Sequence, residues 1–481
     1  MPSRKPDSSP ASNLLRQSLA ACLLLPSLLL LGALACTSTR TQQAPNQASD
    51  AGHAKSPLPF ISDDPARALS EAREKGVPLF VDAWASWCPP CLTLKAYVLS
   101  DPKLAKHAGR FVWLELDTDL PRNEAFLEKY PLTSLPTLYV IDPRDERVLV
   151  RATGDTTLAQ LERLLDDGER AFRAEGGGLD ARLARADALH GAGQDREAAE
   201  AFSRVLAEAP SDWPRRGRAL ESLLVTLTVS RQLESCARKA LEELPRLPRS
   251  PSWAAAANRG LTCALMMPPE NPATSTLRKE LDAKAAEALG PPLIAMSVDD
   301  RSTLYEGRIG FRMEEGDEAG ARGVAGEWLA FLEAEYARAP TPQARASLGM
   351  NLVSAALTLE EPARVLPLLQ RTERELPRDE APSRHLAMLY RAMGRPDDAL
   401  AAIDRALGNE AEGRVRVSLL SDRANLLAAR GDRATAVRAL EDALSLARSL
   451  PQKLNLQLQV AQLEKQLAEL KASGRARPPN E

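Results

Sequence analysis

Two kinds of hydrophobic patterning divide the chain. From about residue 58 to 175, short apolar runs alternate with stretches of helical period, and from about 179 to 472 the helical period prevails. In the first region Pro78–Trp84, Phe111–Leu116, Thr137–Ile141 and Arg147–Val150 read as strands, the last two joined by the turn Asp142-Pro143-Arg144-Asp145. Residues 64–75 read as a helix with Asp63 or Asp64 as N-cap and Pro65 in its first turn. Further helices are expected over 92–99, 102–107, 121–129 and 157–174. The order β-α-β-α-β-β-α predicts a mixed sheet covered by helices on both faces.

The second region is self-similar. Gly193-Gln194-Asp195-Arg196-Glu197-Ala198, followed by Phe202 and Pro210, returns as Gly394-Arg395-Pro396-Asp397-Asp398-Ala399 with Ile403 and Ala406. Gly431-Asp432 leads to Ala436, Leu440 and Ala443 in the same way, and Gly316-Asp317 with Ala321 opens a longer unit. Ala399 lies 34 residues beyond Val365, and Ala436 lies 37 beyond Ala399. This pattern resembles the tetratricopeptide repeat, whose period is 34. It implies an all-α solenoid of six or seven helix pairs, each burying its apolar face against its neighbours. Residues 250–300, with Pro268-Pro269 and Pro291-Pro292, give no regular pattern. Such an array offers a concave protein-binding surface, or serves as a spacer. Gly176-Gly177-Gly178 between the two regions reads as a hinge; no strand precedes it and no Lys-Ser/Thr follows, so it is a poor phosphate loop.

The N-terminus changes the setting. Arg4, Lys5 and Arg16 precede an apolar run from Leu19 to Ala35, broken by Pro26 and ending in small residues before Cys36. That is the form of a secretory signal. Leu31-Gly32-Ala33-Leu34-Ala35-Cys36 resembles a bacterial lipoprotein processing box, which implies a lipidated Cys36 as the new N-terminus. Ala33 stands where that box usually has Leu. Leu19-Ala20-Ala21-Cys22 fits the box better, but the main apolar run follows it instead of preceding it. Cleavage after Ala35 without a lipid, or an uncleaved anchor, fits the same residues. Residues 1–36 are thus expected to be a signal, 37–57 a polar flexible tether and 473–481 a disordered tail. The expected location is exported and periplasmic, held on a membrane by the lipid.

Composition narrows the function by exclusion. The chain has 481 residues, a net charge of −3 and few aromatics, at 4%, so nothing calls for a nucleic-acid partner. Its four histidines are scattered and no Cys/His spacing suggests a metal site; no bound cofactor is expected beyond a redox-active cysteine pair. Cys236 and Cys263, 27 residues apart, fall on successive helices of the array. In an oxidising compartment they could bridge those helices, and two separately buried thiols are the other reading.

Reactive side chains converge in one stretch, Trp84-Ala85-Ser86-Trp87-Cys88-Pro89-Pro90-Cys91. Two cysteines with two residues between them can share a helical turn and close a disulfide reversibly. A strand turning into a helix at Cys88 puts its sulfur at the positive end of the helix dipole, where the nucleophilic thiolate is favoured. Pro89 and Pro90 remove two N–H donors there, which weakens that stabilisation and leans toward a reductant.

With Phe80-Val81-Asp82-Ala83-Trp84 before the pair and Ser134-Leu135-Pro136-Thr137-Leu138 after it, this region resembles the thioredoxin superfamily. Leu99-Ser100-Asp101-Pro102 is most similar to the C-terminal domain of the membrane disulfide-reductase transporters and their secreted relatives. The resemblance covers about a quarter of the chain. It implies an α/β thioredoxin-like domain, a mixed sheet between helices, ahead of the solenoid of tetratricopeptide-like helix pairs. It assigns Cys88 as the attacking, more exposed cysteine and Cys91 as the buried resolving one. Pro136 would be a cis-proline shaping the substrate groove, Asp82 would move a proton to or from Cys91, and Trp87 would pack beside the pair. Two departures stand out. The lysine that usually faces the buried acid from the next strand is replaced, in this alignment, by Trp113, and Leu92 follows the second cysteine. The expected activity is thiol–disulfide exchange, as a protein-disulfide reductase. Its partners would be cysteine-containing protein substrates and a membrane protein that donates or accepts electrons. The alternative is a non-catalytic interaction scaffold.

Overall fold

The structure is a computed structural model and describes residues 56–173, 177–409, 411–450 and 456–472. The signal, Cys22, Cys36, the tether up to residue 55, Gly176 and the tail expected over 473–481 lie outside the described residues. Among the described residues no helix is long and apolar enough to cross a membrane.

Five strands form one mixed sheet in the order β1-β3-β2-β4-β5. They are β1 (Phe60–Ser62), β2 (Leu79–Trp84), β3 (Val112–Asp117), β4 (Thr137–Ile141) and β5 (Val148–Thr153). β1 and β2 flank β3 in parallel, while β4 runs antiparallel to β2 and β5. The edge strand β1 was not anticipated: three residues are too few to show a period of two. The alternation along β2 sorts the two faces. Leu79 and Val81 face Ala68 and Ala72 of α1 (Pro65–Lys75) and Phe126 of α3 (Glu124–Lys129). Phe80 faces Leu94, Val98 and Leu99 after the cysteines, and Leu161 and Leu165 of α4 (Leu158–Phe172). α4 starts on a capping box, Thr157 and Gln160 exchanging side-chain and backbone hydrogen bonds. The cysteine helix α2 (Pro89–Thr93) runs on as a π-type turn, Leu94–Leu99.

The array follows as α5 (Leu179–Gly191), α6 (Asp195–Glu208), α7 (Arg216–Val229), α8 (Leu233–Glu243), α9 (Pro251–Met266), α10 (Thr274–Leu289), α11 (Val298–Glu314), α12 (Glu318–Arg338), α13 (Pro342–Ser347), α14 (Gly349–Thr358), α15 (Pro362–Glu375), α16 (Glu380–Ala392), α17 (Pro396–Gly408), α18 (Gly413–Ala429), α19 (Arg433–Ser449) and α20 (Leu456–Ala472). With α13 and α14 counted as one bent helix these make seven pairs and a last helix. Residues 250–300, where the sequence gives no regular pattern, hold the regular pair α9 and α10. The repeat is visible in the backbone. In six pairs the amide three residues past the first helix donates to the carbonyl five residues back: Gln194 to Leu189, Gln232 to Leu227, Asp317 to Arg312, Glu361 to Ala356, Arg395 to Tyr390 and Asp432 to Leu427. The residue before that amide has positive φ each time: Gly193, Arg231, Gly316, Glu360, Gly394 and Gly431.

The array curls around the redox module. α5 packs on β5 so closely that a Cβ at Gly191 would lie 2.6 Å from Val148 Cγ2. Arg151 of β5 donates to the carbonyl of His190 at 2.9 Å, and Arg215, just before α7, and Arg218 of α7 pair with Asp167 of α4. The glycine stretch read as a hinge is therefore followed by a helix fixed to the sheet. Farther on, the Tyr97 hydroxyl donates to the Ala344 carbonyl at 3.3 Å, and Ala96 packs with Ala339 and Ala344. At the start of α18 the Arg414 amide donates to Asp119 Oδ2 at 3.4 Å.

Candidate active site

β2 carries the chain to the site and stops at Trp84. Cys88 is the N-cap of α2, and its sulfur accepts a hydrogen bond from the Cys91 amide at 3.2 Å. Pro89 and Pro90 occupy the first two helical positions and offer no N–H. The donors that a helix start ordinarily aims at such a sulfur are thus reduced to one. Cys88 and Cys91 are joined as a disulfide. Both are buried in this oxidised state, Cys88 at 3% exposure and Cys91 at 1%. Trp84, Trp87 and Leu135 close over the pair.

Asp82 sits on the same face of β2 as Phe80, below the cysteine helix. It is 1% exposed and neither carboxylate oxygen has a hydrogen-bond partner. Burial pushes its carboxyl up to about 6; the Lys95 charge opposes this and the Glu115 charge adds to it. The strand register corrects the expected neighbour. Glu115 stands opposite Asp82, and Trp113 pairs with Phe80. The nearby cation comes from the cysteine helix's own continuation. Lys95 Nζ lies 2.9 Å from Glu115 Oε2 and 3.3 Å over the centre of the Trp84 ring. Lys95 and Glu115 were missed because helix spacing from Cys91 and strand register had to be combined to find them.

The Leu135–Pro136 bond is cis, and the Pro136 carbonyl accepts from the Gly154 amide at 2.9 Å. Leu135 packs against the cysteine pair, so this loop and α2 form one surface. Trp87 Nε1 donates to Asp119 Oδ2 at 3.0 Å, and the Arg414 guanidinium lies 5.4 Å from the centre of the Trp87 ring. Trp87 also packs against the apolar core of the array. No sequence motif links residue 414 to residue 87.

In the array, Cys236 of α8 and Cys263 of α9 are fully buried and joined as a disulfide, with the Thr228 hydroxyl 3.1 Å from the Cys263 sulfur. The structure brings Cys88, Cys91, Trp87 and the Leu135–Pro136 loop together, with Asp82 buried on the strand that leads to them; Cys236 and Cys263 form a separate crosslink. Among the described residues no group of three or more His, Cys, Asp or Glu could hold a metal ion.

Comparison with known proteins gives this geometry a frame. Residues 61–143 match the thioredoxin-like family model. The thiol:disulfide interchange protein DsbD of Pseudoalteromonas atlantica is 29% identical over 107 residues, 21% of this chain and 18% of its own. That of Yersinia enterocolitica is 31% identical over 136 residues, 26% of this chain and 23% of its own. Thioredoxin M4 of Arabidopsis thaliana is 29% identical over 122 residues, 25% of this chain and 60% of its own. The chain thus spans about a fifth of the DsbD proteins it matches. Among solved structures, a tetratricopeptide repeat protein from Parabacteroides merdae is 13% identical, with a TM-score of 0.37, over 60% of this chain and 97% of its own. Residues 61–143 are thus similar to thioredoxin-like domains, and an array of helix pairs follows them.

Proposed function

We propose that the protein is an exported, membrane-anchored thiol–disulfide oxidoreductase that reduces protein disulfides. The observation that carries this is the Cys88–Cys91 pair at the start of α2, packed against Leu135 of the cis Leu135–Pro136 loop, with the buried Asp82 on the strand that leads to it. In the reduced enzyme the Cys88 thiolate attacks one sulfur of a substrate disulfide. The S–S bond breaks and the other substrate sulfur leaves as a thiolate, which takes up a proton. Asp82 accepts the proton of Cys91, whose thiolate then attacks the Cys88 sulfur of the mixed disulfide. The second substrate thiol leaves and Cys88–Cys91 is restored. Two electrons pass from the dithiol to the substrate, and a protein dithiol donor in the membrane must return them.

The sparse donor set at Cys88 favours the reducing direction, because a less stabilised thiolate makes the dithiol a better electron source. Export and lipidation at Cys36 rest on the N-terminal sequence. The array would serve as the wall against which protein substrates dock. The test is thiol trapping of the Cys88–Cys91 couple in glutathione buffers, together with turnover of a disulfide-bonded protein substrate. A potential near about −270 mV and turnover abolished by Cys88→Ser are expected. A potential near about −120 mV would make the protein an oxidant. Unaltered partner binding by the Cys88→Ser/Cys91→Ser protein, with no redox turnover by the wild type, would make it a scaffold.

A further inference from the structure

Beside the dithiol, the redox module and the array enclose a cleft of about 250 Å³. Pro90 of α2 and Leu135 of the Pro136 loop line it at the redox end. Its other walls carry Asp155 from the loop after β5, Glu221 from α7, and Asp299 and Asp300 from the first turn of α11.

The charges in this cleft do not balance. Arg218 also lines it, but its guanidinium is engaged by Asp187 and Asp167. Arg151 is buried and donates to the His190 carbonyl and the Thr133 hydroxyl. Arg259 faces Asp300 and Glu221, and the Arg218 and Arg163 charges also bear on Glu221. The charges that bear on Asp155 are those of Asp299 and Asp300, both negative, and burial together with this repulsion pushes its carboxyl well up. Asp299 is 5% exposed. Its Oδ1 accepts from Asn351 Nδ2 at 2.9 Å, and the Thr93 hydroxyl of the cysteine helix lies against the same carboxylate from across the interface and favours its charged form. Acids in a first helical turn complement the helix dipole. That explains Asp299 and Asp300 on their own helix. It does not explain why Asp155 of the other module is set against them across a cleft that begins at the dithiol.

We propose that this cleft receives the polypeptide segment flanking the substrate's cysteine and selects a lysine or arginine side chain close to that cysteine. The inference rests on the redox reading above and adds to it the class of substrate. The array thereby contributes specificity residues, Asp299 and Asp300, to a reaction carried out by the other module. A cation seated among Asp155, Asp299 and Asp300 relieves their mutual repulsion.

The test uses the full exported chain and two disulfide-bonded peptides that are identical except for lysine or glutamate on both sides of the cysteine. With the wild type, kcat/KM for the lysine peptide is expected to exceed that for the glutamate peptide at least tenfold, with the ratio falling as salt is raised. The Asp299→Asn/Asp300→Asn variant is expected to bring the ratio within twofold while the reduction potential of Cys88–Cys91 stays in place. A second arm measures binding of cysteine-free forms of the peptides to the Cys88→Ser/Cys91→Ser protein, and the same preference is expected there. Absence of preference in the wild type, or a preference that survives in the double Asn variant, overturns the inference and leaves the carboxylates as contacts between the modules. Lysine-selective binding without turnover of either peptide would instead sink the redox reading and keep the cleft.

Discussion

Asp82 is where the site's chemistry and the stability of the fold oppose each other. Its carboxyl titrates at about 6 in the fold against about 3.9 in an unfolded chain, so ionising it at neutral pH costs the folded state about 3 kcal/mol. The folded state holds the proton more tightly. Stability therefore falls as pH rises from about 4 to about 6 and levels off above. Asp82→Asn is expected to gain about 1–3 kcal/mol at pH 7, since its amide also lacks partners, and nothing below about pH 4. Urea midpoints of the oxidised protein between pH 4 and 8 check this, and a constant difference across that range would mean that Asp82 is not ionising inside the fold. The same substitution should slow the attack of Cys91 on the mixed disulfide. At Cys88, Pro90→Ala returns one N–H to the helix start. A hydrogen bond to a charged group is worth about 1.5–3 kcal/mol, so the couple should become more oxidising by roughly 30–60 mV. An unchanged potential would mean that the restored N–H does not reach the sulfur. Cys88, Cys91, Asp82 and Pro136 could be read in the sequence because the motif names them. Lys95, Glu115 and Asp119 could not, because their roles depend on strand register and on where a π-type turn aims a side chain.

Among the elements, α8 and α9 are tied by Cys236 and Cys263, 27 positions apart in sequence. Closing a loop of that length removes about 3.5 kcal/mol of chain entropy from the unfolded state. In a Cys88→Ser/Cys91→Ser background, Cys236→Ala/Cys263→Ala is expected to lower stability by about that amount under non-reducing conditions, and to be indifferent to dithiothreitol. The same background with Cys236 and Cys263 intact should lose that stability when dithiothreitol is added. If the reductant leaves it unmoved, the two thiols are not joined in solution. The array's periodicity was legible wherever a glycine takes the left-handed position after a first helix, as at Gly193, Gly316, Gly394 and Gly431. Arg231 and Glu360 fill that position in two other pairs, at φ of 60° and 63°, so the same turn is present without its sequence marker. Between them, α9 and α10 are joined by a longer loop containing Pro268 and Pro269, and a pattern tuned to short turns passes over it. The strand β1 escaped for another reason: its pairing with β3, and not its sequence, makes it a strand.

At the scale of the whole molecule the array is a wall around the dithiol. It starts on β5, touches the cysteine helix through α13, and reaches Trp87 at the start of α18. The last contact is a small clasp. Gly413 has a φ of +53°, and a Cβ there would stand 3.0 Å from Asp119 Oδ2. The same carboxylate oxygen accepts from the Arg414 amide and from Trp87 Nε1, so the array helps to hold the indole beside the cysteine pair. Gly413→Val would be strained in its backbone and crowded against Asp119, and both effects push α18 off the redox module. Each 1.4 kcal/mol lost from that contact enlarges the open population about tenfold. Alkylation of Cys88 in the reduced protein, followed with a fluorogenic maleimide, is expected to speed up by about that factor or more. Gly431→Val is the control. Its φ is +86° and no atom lies within 4 Å of its Cβ position, so it carries similar backbone strain without touching the clasp. If both variants alkylate at the wild-type rate, the array does not limit access to Cys88, and the closure of the site belongs to Trp84, Trp87 and Leu135. If Gly413→Val alone is faster, the repeat array sets how often the dithiol is open to a protein substrate.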